Sequence, residues 1–187
     1  GIVLNERPCD YYYVTPGHQV PTGVTMSSAR RRQLLEHAAR HDAVIIEDDY
    51  DSESNFTLNP LPALKASDRS GRVVYVSSLS KALSPGLRLG FMVADPDLID
   101  EARALRRLVY RHPPTNIQYQ MAHFLAQGHY ETHLRRYHYD SAQRWERLHA
   151  ALQRYLPSCR ALAGSEHANA FWLQPPAQIN TPQLTWR

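Results

Sequence analysis

The stretch SSLSKALSPGLRLG, residues 77–90, sets one lysine, Lys81, among serines and ends with Arg88. A lysine partly desolvated in a turn bounded by serine, proline and glycine loses its proton readily and can attack a carbonyl carbon. Ser78 and Ser80 offer hydroxyls, and Arg88 offers a planar fork matched to a phosphate. A second stretch, VIIEDDYDSES (44–54), places Glu47, Asp48, Asp49, Asp51 and Glu53 directly behind an apolar run. Asp48 would supply a fixed negative charge for a protonated ring nitrogen, and Tyr50 would hydrogen-bond a phenolate oxygen. Asp49, Asp51 and Glu53 read as structural or solvated.

These residues need strands to position them. AVIIE (43–47) and RVVYVSS (72–78) are short continuous apolar runs, the pattern of strands buried on both faces. YYYVTP (11–16) and RLGFMVA (88–94) are further strand candidates. Ser27 or Ser28 can cap a helix running to about His41, with Leu34, Leu35, Ala38 and Ala39 as its apolar stripe. LNPLPAL reads as a proline-punctuated connection. After Pro96 the pattern turns helical: DLIDEARALRRLVYRH up to Pro113 and Pro114, a second helix over 115–127, and a long amphipathic one from about Tyr130 to Leu156. Leu134, Tyr137, Ser141, Trp145, Leu148, Leu152 and Tyr155 mark the apolar face of the long helix, and NAFWLQ (169–174) reads as a late strand. Strands alternating with helices, then helices and a late strand, predict an α/β layer followed by the start of a smaller α+β portion.

In an open α/β sheet, ligands sit beyond the carboxyl ends of the parallel strands. If the strands ending at Glu47 and Ser78 are neighbours, an acid, a phenol, hydroxyls, a lysine and an arginine meet in one crevice. Pyridoxal 5'-phosphate asks for all of these at once, having an aldehyde, a phosphate, a pyridine nitrogen and a ring hydroxyl.

The motifs TPGHQVPTG, IIEDDYDSE and SLSKALSPGLRLGF, in this order and spacing, resemble the fold-type I pyridoxal-phosphate proteins, the class I/II aminotransferases. More closely they resemble the aminotransferase-like domain of MocR-type transcriptional regulators of the GntR superfamily. The resemblance implies that Lys81 carries the cofactor as a Schiff base and acts as catalytic base when freed. It implies that Asp48 pairs with the pyridinium nitrogen, Tyr50 bonds the ring oxygen, and Ser78, Ser80 and Arg88 hold the phosphate. Aminotransferases usually carry asparagine immediately before PTG, where Val20 stands here; His18 or Gln19 is the expected substitute, which favours regulator over enzyme.

The same resemblance implies a fold-type I large-domain sheet truncated at both ends, residues 1–128 being part of the cofactor-binding large domain. Residues 129–187 would form an interdomain helix and part of a C-terminal small domain. The expected ligand is a small amine or amino acid acting as effector or substrate, and the expected assembly is a homodimer. DNA would be reached only through a winged helix upstream of this chain. A sheet cut in this way would leave unpaired edges. The rival reading is a catalytic class I/II aminotransferase, transaminase chemistry being open to the full-length protein.

Other signals are weaker. Only Cys9 and Cys159 are present, which fits a reducing cytoplasm better than a disulfide scaffold. The net charge of +3 does not by itself argue for nucleic acid, and no apolar run nears the ~18 residues of a membrane span. EDDYDSES is no calcium loop, since Ser54 and Pro60 stand where glycine and glutamate are needed. His129 and His133 are four apart, but HYETH lacks the HExxH order, and no metal is expected. Arg103, Arg107 and Arg111, and the run Arg30–Arg32, read as solvated helix faces.

Overall fold

The computed structural model describes residues 9–19, 21–51, 53, 60–161 and 170–179. Four strands form one sheet in chain order: β1 (Tyr11–Val14), β2 (Val44–Asp49), β3 (Val73–Ser78) and β4 (Gly90–Val93). β1, β2 and β3 run parallel, and β4 returns antiparallel to β3. The β1–β2 crossover contains helix α1 (Ser28–Arg40), and the β2–β3 crossover contains the short helix α2 (Leu64–Ser67). The sequence reads LNPLPAL as a connection, and α2 begins at its last residue, Leu64. Its N-terminus depends on a distant residue: the Glu47 carboxylate accepts from the Leu64 and Lys65 amides at 2.7 and 2.9 Å.

Ser27 caps α1, its hydroxyl accepting from the Arg30 amide. The helix buries Arg31, Leu34, His37 and Ala38, so His37 takes the place expected for exposed Ala39. Leu34 and Ala38 join Tyr12, Val14, Ala43, Ile45, Leu64 and Val73 in the core. Arg31 overturns the expectation of a solvated arginine run. It is 7% exposed and donates to the carbonyls of Met26, Pro62 and Pro16 at 2.8–2.9 Å, joining the β1–α1 and β2–α2 connections around the start of α1. Its spacing to Leu34 and Ala38, three and seven residues on, puts it on the buried stripe, and the bonded carbonyls satisfy the guanidinium there.

Beyond β4 lie α3 (Pro96–Tyr110), α4 (Thr115–Ala126) and α5 (His129–Tyr155). Asp95 caps α3, accepting from the Asp97 amide at 3.0 Å, and Pro96 fills its first position. Gly128, at φ 70, supplies the left-handed residue between α4 and α5. At the C-terminal end β5 (Arg160–Ala161) pairs antiparallel with β6 (Leu173–Gln174), a shorter strand than NAFWLQ predicts; Asn169 lies outside the described residues. Trp145 and His149 of α5 stack on Phe171 at ring separations of 5.4 and 6.2 Å. No helix among the described residues is long and apolar enough to cross a membrane.

Candidate functional site

β2 pairs with β3 as far as Asp48↔Val76 and Asp49↔Ser77, so both acids belong to the strand instead of following it. The ladder outlasts the apolar run, because the backbone groups of β2 that point toward β3 pair there whatever the side chains are. Alternation then sorts the acids by face. Glu47 and Asp49 share the side of Ile45, against the core and α2. Glu47 is 1% exposed, and Asp49 accepts from the Tyr75 hydroxyl at 2.9 Å. Burial raises the pKa of both carboxyls above the usual range.

Asp48 takes the opposite face. Its carboxylate accepts from the hydroxyl of Tyr13 on β1, and that bond, followed by burial, raises the Tyr13 pKa. Tyr13, Thr15, Gln19, Asp48 and Tyr50 line a cleft of about 390 Å³. It shares Tyr13, Thr15 and Gln19 with a larger cleft of about 790 Å³ that reaches the start of α1.

Lys81 stands in the turn between β3 and β4. Its Nζ lies 4.2 Å from the centre of the Tyr50 ring and 3.5 Å from Asp51 Oδ2. The Lys81 side chain is 49% exposed, less desolvated than the sequence implied, because the turn rides on the molecular surface. Asp51 is buried, so of the three acids expected to be structural or solvated, this one meets the amine directly. The Tyr50 hydroxyl donates to the His18 carbonyl at 3.2 Å.

The turn itself is braced at its base. Ser80 N donates to Ser78 Oγ at 3.2 Å, and Leu79 N to Leu89 O at 3.0 Å. Gly90 is forced by proximity, since a Cβ there would lie 2.7 Å from the Ser77 carbonyl oxygen. Arg88 is exposed and adopts the left-handed conformation at φ 47, which reverses the chain before β4.

The structure thus brings Lys81, Tyr50 and Asp51 together and places Asp48 in the cleft wall that Tyr50 shares. Ser78 and Arg88 flank the lysine turn, Ser80 immediately precedes Lys81, and among the described residues no contact ties Arg88 to the cleft. His18 is not among the cleft residues. Its ring is buried, near Asp51 and Asp49, and burial lowers its pKa. Gln19 lines the cleft instead; Val20 lies outside the described residues. Sequence reasoning missed Tyr13 and Asp51. Tyr13 had a signal, since β1 pairs with β2 and its odd positions face the side of Asp48; Asp51 had none beyond its place in the acidic run.

The sequence matches the family of aminotransferases of class I and II over residues 14–176. The chain belongs to that family. Among curated relatives, the HTH-type transcriptional regulator TauR of Rhodobacter capsulatus is 39% identical over 100% of this chain and 39% of its own length. The probable rhizopine catabolism regulatory protein MocR of Rhizobium meliloti is 40% identical over 77% of this chain and 29% of its own. This aminotransferase domain therefore spans well under half of the relatives it matches. Among solved structures, kynurenine aminotransferase of Pyrococcus horikoshii superposes at a TM-score of 0.84 with 28% identity, covering 94% of this chain and 43% of that one. LysN, the α-aminoadipate aminotransferase of Thermus thermophilus, superposes equally at 0.84 with 27% identity, covering 96% and 46%. The architecture is that of the fold-type I pyridoxal-phosphate aminotransferases.

Proposed function

We propose that this chain is the cofactor-binding part of an aminotransferase-like effector domain in a MocR/GntR-type transcriptional regulator, with pyridoxal phosphate attached at Lys81. The observation that carries this reading is the placement of the Lys81 amine on the Tyr50 ring, beside a cleft walled by the Asp48 carboxylate. The donor set suits the cofactor: an amine for its aldehyde, a carboxylate for its ring nitrogen, a phenol for its ring oxygen, and Ser78, Ser80 and Arg88 for its phosphate. The cleft volume also falls within the range of ordinary small-molecule sites. When bound, the cofactor supplies an electrophilic carbon that takes up amino groups and a ring that withdraws electrons from them.

The protein's contribution is charge and placement. Asp48 would supply the fixed negative charge that suits a protonated ring nitrogen, and Tyr13 holds that carboxylate in place through its hydroxyl. Tyr50 orients the amine with its ring face, and Asp51 anchors the same amine at 3.5 Å. Once free, Lys81 Nζ can take a proton from a ligand's α-carbon or return one. His18, buried and held neutral near these acids, supports the loop from behind.

On this reading residues 1–128 form part of the large domain, and 129–187 the interdomain helix and the start of the small domain. The ligand is a small amine or amino acid, the full-length assembly is a homodimer, and DNA binding belongs to a winged helix elsewhere in the protein. The similarity to LysN and kynurenine aminotransferase favours a second reading, a catalytic aminotransferase.

Lys65 and Lys81 are the only lysines in the chain, so the test is clean. Pyridoxal phosphate is added, the adduct is fixed with borohydride, and the labelled peptide is mapped. Label at Lys81, lost in Lys81→Ala, is expected; label only at Lys65 or the amino terminus would overturn the assignment. Steady conversion of an amino acid with a keto acid by the full-length protein would decide for the enzyme.

A further inference from the structure

Three side chains in the first turns of α5 reach across to the two loops that carry the amine and the acids. His133 Nε2 donates to the Ala82 carbonyl at 2.7 Å, the residue immediately after Lys81. The Tyr130 hydroxyl donates to Glu53 Oε1 at 2.8 Å, and His138 Nε2 donates to the Glu53 carbonyl at 2.7 Å. Glu53 lies two residues beyond Asp51, the carboxylate paired with Lys81. One helix thereby grips one residue in each loop.

We propose that His133 is a positioning residue for Lys81: its bond to the Ala82 carbonyl fixes the amine-bearing turn, while Tyr130 and His138 fix the acidic loop from the same helix. Several observations support this. Ala82 is buried, at 3% exposure, so its carbonyl has little access to solvent and depends on a protein donor. A carbonyl can only accept, so the His133 proton must sit on Nε2. Its ring also lies nearly parallel to that of Tyr137, 6.4 Å away, which limits the orientations open to it. The turn's backbone bonds, Leu79 N to Leu89 O, Leu83 N to Leu79 O and Leu87 N to Ser84 O, do not engage the Ala82 carbonyl. They brace the turn internally but leave the Ala82 carbonyl, and so the tie to α5, to His133. At its far end α5 stacks Trp145 and His149 on Phe171, just before β6.

The inference rests on the assignment of Lys81 as the reactive amine, and the experiment separates the two. The full-length protein is treated with pyridoxal phosphate and borohydride across a pH series, and the label on Lys81 and Lys65 is counted separately by peptide mapping. His133→Leu should slow labelling of Lys81 by ~10-fold, the size of effect expected from a sub-ångström misplacement. It should also move the pH of half-maximal Lys81 labelling and leave Lys65 unchanged. His133→Gln, whose amide can place a donor near the same point, should restore most of both. A Leu variant labelled like the wild type overturns the proposal. If the Leu variant fails to fold, the comparison passes to Gln and Asn: the longer amide should label Lys81 faster, and equal rates overturn the proposal. Label in the wild type that avoids Lys81 removes the functional assignment, and this inference with it.

Discussion

Leu34, Ile45 and Val73 are sealed between the sheet and its two crossover helices, whereas α3 buries none of its fifteen residues, leaving Leu105, Leu108, Val109 and Tyr110 exposed. In the first region apolar burial organises the chain, and polar groups are admitted only where fully bonded, as at Glu47 and Arg31. In the helical part beyond β4, to which α3 belongs, α5 meets the site loops through directed hydrogen bonds from His133, Tyr130 and His138. Burial makes a stable platform, and directed bonds aim what stands on it. The two kinds of contact should fail differently when cut.

The sharpest contrast is between Leu34→Ala and Leu108→Ala. The first opens a cavity under the sheet and should cost about 2–5 kcal/mol in urea unfolding. The second removes a side chain that is 85% exposed and should stay within about 0.5 kcal/mol. Comparable losses from both would mean that the helical face is covered in the folded protein and that the contrast is false.

A smaller loss is expected at Glu47→Gln, which turns an acceptor into an NH₂ group facing the amides of Leu64 or Lys65. The cost should be about 1–3 kcal/mol, with faster amide exchange confined to α2 at first. Ser27→Ala removes the cap of α1 and should cost about 1 kcal/mol by the same denaturation measurement.

The smallest effect concerns pH. Burial depresses the pKa of His18 below 6.5, against the opposing pull of Asp51 and Asp49 and with a small push from Lys81. Its contribution to stability is therefore fully present above 6.5 and is lost as pH falls through the lowered folded value. Glu47 and Asp49, with raised values, act in the opposite sense, contributing most at low pH and losing that contribution as pH rises through their folded values. Replacing His18 with Gln should flatten the decline just below 6.5 and leave the acid-side trend in place, as read from denaturation midpoints across pH.

Much of this organisation was legible in the residues themselves. The apolar runs located β2 and β3, the period of Leu34 and Ala38 located α1, and the three motifs located Lys81, Asp48 and Tyr50. What was hidden needed coordinates for a physical reason. Which acids belong to which face depends on where the β2 ladder stops, and that is set by β3 and not by composition. Arg31 looked solvated because its three carbonyl partners lie up to 31 residues away. The grip of His133 on Ala82 spans 51 residues and leaves no local pattern.

Gly90 carries a consequence for how the lysine finds its place during folding. A residue with any side chain there would strike the Ser77 carbonyl, so a hairpin paired one step out of alignment would put Leu89 or Phe91 where neither fits. The bare position works as a key that admits a single alignment of the two strands. The length of backbone from that key to the amine is then always the same, and the reach of Lys81 toward Tyr50 is set before any ligand arrives.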